Sequence, residues 1–292
     1  MRPGWEVRSR HCWATDLSPA TPQIEEDALR TLVALLTTLL LTAGCSSNDP
    51  QGTNIDPAQV DSVEAPELGA CRVLTPTDVA AASNATRTVD CSEPHTAQTY
   101  AVGALPDEFA DVAHDDEQVG DFGYRTCSQK FRKFVGGDES LAMRTVVSWQ
   151  WFRPSEEAWD EGARWYRCDI VGGGDRSKEY VDLPEDAKGL LSGRVRDAWL
   201  ACVNGPTVAG SARVPCSDPH SWRAVSTIKV GEPEDPYPGD QVVEVRTRDY
   251  CDTSVGALLD YPVSYDFAYT WFKEAEWEVG NRRSVCWAKT ER

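Results

Sequence analysis

The sequence predicts an α+β protein built as two tandem, disulfide-stapled domains, each an antiparallel sheet with one main helix and one short helix. Three observations carry this. Beyond Cys45 the cysteines form two groups of four, at 71, 91, 127 and 168 and at 202, 216, 251 and 286. The stretches around them match: "VDCSEPH" with "VPCSDPH", "YRTCSQKF" with "RDYCDTSV", and "WFRPSEEAWDEGAR" with "WFKEAEWEVGNR". Within each group a helical spacing of apolar residues is followed by a strict period-2 run. Self-similarity on this scale, with each copy inside the usual domain size, marks duplicated domains.

The chain begins with a segment that does not belong to either copy. "LRTLVALLTTLLLTAGC" from Leu29 to Cys45 places Arg30 before an uncharged apolar run and ends on Ala43 and Gly44. The run is too short to span a bilayer and has the length of a signal-peptide core. Its end resembles a bacterial lipobox, which makes 29–44 a lipoprotein signal peptide and Cys45 the lipidated residue, with a diacylglycerol (palmitate-type) anchor. Residues 1–28 carry Glu25, Glu26 and Asp27 directly before the apolar core, against the pattern of exported leaders. They are expected to be an upstream extension of a chain that starts near Leu29. The expected location is the extracytoplasmic face of the cell membrane.

Residues 45–70 are polar, contain proline and show no periodicity, and read as the lipid anchor with a flexible tether. Such a coil holds the next domain roughly 25–30 Å from the membrane. The first repeat is expected over 71–172, a linker over 173–197 and the second repeat over 198–292. In the first repeat Tyr124, Cys127, Phe131 and Phe134 fall on one helix face, and Cys251, Val255 and Leu258 repeat that face in the second. Thr145, Val147, Trp149 and Trp151 alternate on one side of a strand, as do Tyr265, Phe267, Tyr269 and Trp271. "PSEEAWDEG" and "KEAEWEVG" read as short helices stopped at Gly162 and Gly280. "ARWYRCDIV" and "RRSVCWAK" then close each copy as strands.

This placement suggests a connectivity. Cys127 and Cys251 point from helix to sheet, where Cys168 and Cys286 are their natural partners. Cys71–Cys91 and Cys202–Cys216 would join neighbouring extended segments near each domain's start. Eight cysteines permit 105 pairings, so other connectivities stay open.

The Cys-Ser-acid-Pro-His motif, at 91–95 and 216–220, invites three chemical readings. Cys-x3-His spacing is compatible with two ligands of one zinc ion. Thiolates would then have to stay reduced in an oxidising compartment, and the chain has no Cys-x2-Cys pair. A Cys/His nucleophile meets the same objection, because a disulfide sulfur is not a thiolate. Ser92 and Ser217 lie three residues from a histidine, but no Gly-x-Ser-x-Gly elbow is present. The favoured reading is a structural corner. Proline fixes φ and extends the acidic residue before it, and His95 or His220 makes one hydrogen bond across the turn. No metal, cofactor or catalytic residue is assigned, and the chain is expected not to be an enzyme.

Charge limits the partners. Lys and Arg total 29 against 47 Asp and Glu, a net charge of −18; residues 1–44 hold 4 and 5 of these, so the excess persists without them. That disfavours nucleic acid and adsorption to anionic head groups. The acidic stretches "PDEFADVAHDDEQVGD" and "GEPEDPYPGD" lack calcium-loop spacing and read as solvated loops before the main helices. The core is the default place for the strand aromatics; Trp165 and Trp287, on the strand face opposite the cysteines, are the better candidates for exposed contacts, and His95 and His220 are candidate binding or structural groups.

The repeated Cys-Ser-x-Pro-His, the Trp159-x-x-Gly162-x-Arg164 and Trp277-x-x-Gly280-x-Arg282 motifs and the cysteine framework together resemble the septum-formation family of actinobacterial lipoproteins and membrane-anchored proteins. The resemblance spans most of residues 71–286. It implies a location and a process, septum formation in cell division, with no catalytic residues to carry over. The expectation is a membrane-tethered protein that binds envelope or divisome proteins. The alternative is an extracytoplasmic ligand- or glycan-binding receptor that uses the cleft between the copies.

Overall fold

The computed structural model describes residues 54–174 and 176–290. The upstream extension, the signal peptide and Cys45 therefore lie outside the described residues. Among those described, no helix is long and apolar enough to cross a membrane.

Two five-stranded antiparallel sheets with the same strand order form the frame. The first repeat runs α1 (Ala58–Asp61), β1 (Cys71–Arg72), β2 (Thr88–Val89), β3 (Ala97–Ala104), α2 (Glu117–Val135), α3 (Glu139–Ala142), β4 (Ser148–Phe152), α4 (Glu156–Asp160) and β5 (Trp165–Val171). The second runs β6 (Ala201–Val203), β7 (Arg213–Pro215), β8 (Trp222–Lys229), α5 (Asp240–Leu258), β9 (Phe267–Thr270), α6 (Glu274–Glu278) and β10 (Arg283–Lys289). The sheets are ordered β2-β1-β3-β5-β4 and β7-β6-β8-β10-β9.

The main helices form where the spacing places them. The Asp116 side chain caps the α2 N-terminus by accepting from Gln118 N, and Gly136, at φ 72°, ends the helix in the left-handed conformation. Val119, Gly123, Cys127, Phe131 and Val135 are its buried residues. Gly123 is required by proximity, since a Cβ there would run into the Trp151 indole on β4. In α5 the buried stripe is Val243, Thr247, Cys251 and Val255, at intervals of four. Leu258, expected on that face, is 59% exposed: it is the last residue of α5, beyond the buried Val255.

The disulfides are Cys71–Cys91, Cys127–Cys168, Cys202–Cys216 and Cys251–Cys286, the pairing the element placement suggests. In each repeat one bridge ties the main helix to the closing strand and the other ties the first strand to the motif.

Two segments are more structured than their sequence suggests. Within the expected tether, residues 55–62 lie on the first repeat. Ile55 bridges to Thr86, Val60 is buried, and the Val60 carbonyl accepts from Ser155 N at 3.0 Å. Polar composition concealed this because the segment is held through backbone groups and a single buried valine. Among its described residues the expected linker, 173–197, has no helix or strand before the short 3-10 turn that starts at Asp197, yet it is strapped to the first repeat. Val181 N donates to Gly172 O, Leu183 N to His95 O and Leu191 N to Val135 O, and Ala187 and Leu191 are buried.

Candidate functional site

The two motifs fold alike. A turn brings Glu93 N to Asp90 O in the first copy and Asp218 N to Pro215 O in the second. Asp90 Oδ1 accepts from both N and Oγ of Ser92, and these bonds hold its carboxyl below the ordinary value. His95 Nδ1 lies 2.8 Å from Glu93 O, and His220 Nδ1 lies 2.7 Å from Asp218 O. A carbonyl only accepts, so each Nδ1 carries the proton. Both rings are buried, at 1% and 4% exposure. The His95 carbonyl in turn receives Leu183 N, so the corner also fastens the strap. Cys91 and Cys216 are in disulfides and each imidazole Nδ1 is bonded within its own turn, so the motif builds a corner of each repeat; His95 Nε2 is buried without a hydrogen-bond partner.

The Trp-x-x-Gly-x-Arg motifs do a second fastening job. Arg164 lies 4.0 Å over the Trp159 ring and Arg282 lies 3.6 Å over Trp277. The Arg164 guanidinium donates to the carbonyls of Trp159, Phe109 and Ala110. That of Arg282 donates to Trp277, Glu232 and Pro233. The acidic loops before the main helices are therefore tied to the short helices by an arginine. Gly162 and Gly280 make the tight return possible, at φ 98° and 111°.

The two tryptophans that are candidates for exposed contacts are buried. Trp165 is 2% exposed and donates from Nε1 to Ser62 O at 2.9 Å. Trp287 is fully buried and donates to Thr270 Oγ1 at 3.3 Å. Both do sit on the face opposite the cysteines, but that face is covered: by residues 55–62 in the first repeat, and by a segment of the first repeat in the second.

Behind the first sheet lies a buried charge cluster that residue spacing does not reveal. Arg167 approaches Asp169 at 3.1 Å, and Arg72 lies 4.0 Å from the same carboxylate. The Arg167–Asp169 contact is an ion pair without hydrogen-bond alignment, since Asp169 Oδ2 and Arg167 Nε have no such partner. Thr99 Oγ1 accepts from Arg72 and donates to Asp169 Oδ1, at 2.8 and 2.7 Å. Gln59, Asn84 and Thr86 accept further guanidinium protons. Burial pulls Arg167 down to about 10, with Asp169 pulling the other way. The cluster is closed to solvent and is structural.

A groove of ≈ 650 Å³ runs between the repeats, lined from the first by Tyr124, Arg125, Gln129 and Arg132 of α2 with Met143 and Trp149, and from the second by Lys229, Asn281 and Arg282. Tyr124 and Trp149 meet edge to face at 4.9 Å. The walls are held by contacts across the repeats: Val146 N to Trp199 O, Ala201 N to Arg144 O, Arg144 Nη1 to Val225 O, and Arg283 to Glu139 at 2.8 Å. No group of three or more His, Cys, Asp or Glu is arranged to hold a metal ion among the described residues.

No curated protein and no solved structure matches the chain. A family model described as Septum formation matches it twice, over residues 35–153 and 147–286. The matches meet within β4, whereas the first sheet and its disulfides close only with β5. Since the two matches together cover most of the chain and both copies of its repeated motif, the chain belongs to the septum-formation family.

Proposed function

We propose that this chain is a lipid-anchored, non-enzymatic protein of the extracytoplasmic membrane face that serves septum formation by binding envelope or divisome proteins. Family membership points to a septum-related role. The observation that carries the non-enzymatic part is the motif itself: its two cysteines are spent in disulfides and its two histidines on their own turns. Four disulfides suit an oxidising compartment, which agrees with the leader and with Cys45 as the anchor point. The acidic surface favours a partner that presents basic residues.

Two measurements test this in native cells. Cys45→Ser should move the protein from the membrane fraction to the soluble one, and purification of the membrane-bound form should enrich division proteins. A Cys45→Ser chain that stays on the membrane removes the anchor, and a preparation with no division proteins above background removes the partner. A second reading, a ligand receptor working through the groove, is favoured by that groove's size and by its being walled by both repeats.

A further inference from the structure

The groove carries the opposite charge to the molecule around it. Across the chain 47 Asp and Glu outnumber 29 Lys and Arg. Along the groove the balance reverses, with Arg125, Arg132, Arg213, Lys229 and Arg282 against Glu139 alone. Part of that positive charge is already committed. Arg282 is bonded to carbonyls and laid on Trp277, Lys229 pairs with Glu232, and Arg213 lies 5.8 Å over the Trp287 ring. Glu139 is likewise committed, to Arg283 at 2.8 Å.

The least committed charge is on α2. Arg125, Gln129 and Arg132 follow at intervals of four and three, a single stripe along the helix. Arg125 is 62% exposed and reaches Asp121 only at 4.0 Å. Arg132 makes no side-chain hydrogen bond or ion pair among the described residues. A protein with this much surplus carboxylate has ample means to pair an arginine. Arg132, left open, and Arg125, held only by an exposed contact within its own helix, lie along one side of a concave site that also includes a tryptophan, and suit recognition of an anion from outside.

We propose that the groove between the repeats binds a small anionic ligand, one bearing carboxylate or phosphate groups, on Arg125 and Arg132 of α2. This rests on the receptor reading of the groove and names the class of its ligand. The surrounding negative field selects for size: a long polyanion is repelled by the rest of the surface, while one or two anionic groups fit inside the local positive strip. A groove of ≈ 650 Å³ suits a molecule of that scale.

The test is calorimetric titration of the full chain, purified in detergent, with inorganic pyrophosphate, citrate and the neutral sugar maltose. Saturable binding of at least one anion is expected, weakening as sodium chloride rises from about 20 to about 500 mM. Arg132→Glu should weaken it by about tenfold and Arg125→Gln by about threefold, while Arg248→Gln on α5, outside the groove lining, leaves it unchanged. Arg132→Gln, which only removes the charge, should weaken binding too and guards against misfolding of the charge reversal. Binding of citrate alone assigns a carboxylate ligand, and of pyrophosphate alone a phosphate. If neither anion binds, or if both Arg132 variants titrate like the parent, the proposal is overturned. Maltose binding without anion binding would overturn the anionic class and leave the receptor reading standing; no binding by any probe removes both.

Discussion

The two repeats share a front and differ at the back. On the front, each main helix is bonded through a cysteine to the closing strand, Cys127–Cys168 and Cys251–Cys286, with the aromatic strand beside it. On the back, aligning the cysteines sets Arg72 against Val203, Arg167 against Val285 and Asp169 against Trp287. The first repeat hides an ion cluster there, and the second an apolar surface within the core that also contains Val146 and Val147 of the first repeat. The difference follows from what covers each sheet. The first is covered by its own N-terminal segment, which offers Gln59 Oε1 and the Ser62 carbonyl. The second is covered by the α3 region of the neighbouring repeat, which brings apolar side chains. The anchoring position is the same in both: three residues before the closing cysteine, Trp165 donates to Ser62 O and Arg283 to Glu139. Duplication kept the staple and let each back face adapt to its cover.

The largest effect should come from unbalancing the ion cluster. Asp169→Ala leaves two buried arginines without their carboxylate and should cost about 3–5 kcal/mol in denaturant unfolding. Replacing the cluster with apolar residues, as the second repeat does, is the informative control. Arg72→Leu/Arg167→Leu/Asp169→Leu should be much less damaging than Asp169→Ala alone, because no charge is left uncompensated. A triple variant worse than the single one would mean the ions stabilise the first repeat in their own right, and the two back faces would not be interchangeable solutions.

The shared front predicts equality. The Cys127–Cys168 and Cys251–Cys286 bridges close 41 and 35 residues. Chain entropy makes removal of either, by paired alanine substitution, cost about 4 kcal/mol. Unfolding midpoints of the two double variants that differ widely would show that the frames are not energetically equivalent, despite their common strand order.

Local periodicity made the front legible. The intervals joining Tyr124, Cys127 and Phe131 are enough to aim a cysteine at the sheet, and period-2 aromatics identify β4, the neighbour of the closing strand that carries Cys168. The central strands β3 and β8 directly follow the Pro-His motif; β3 is buried at every residue from Ala97 to Ala101, so it lacks the alternation that marks a half-buried strand. The back was not legible in the same way. Alternation assigns Trp165 and Trp287 to a face and is silent on whether a second layer covers it. That depends on residues 55–62 and 138–147, distant in sequence: the first is held largely through backbone groups, the second through backbone bonds and apolar side chains together. The groove was equally hidden, because Arg125 and Arg132 become neighbours of Lys229 only once the repeats dock.

Each repeat's corner should contribute a smaller and again paired effect. His95→Gln and His220→Gln remove one hydrogen bond each from a buried ring, and each should cost about 1–2 kcal/mol. Similar losses in both, seen in thermal unfolding, fit a structural corner. A loss confined to His95 would point to the strap that its carbonyl holds.

The smallest effect should be at the contact between the repeats. Arg283 and Glu139 are 22% and 36% exposed, so water screens their attraction. Glu139→Gln should cost less than about 1 kcal/mol and should cost nothing measurable in high salt. The docking does not depend on that pair, because Thr227 Oγ1 meets Ser140 Oγ at 2.7 Å on the same face, and Arg144 reaches Val225 O. If Glu139→Gln instead separates unfolding into two transitions, the interface is held chiefly by charge. The apolar back face of the second repeat would then be an insufficient glue, and the contrast between the two repeats would have to be redrawn around their ion pairs.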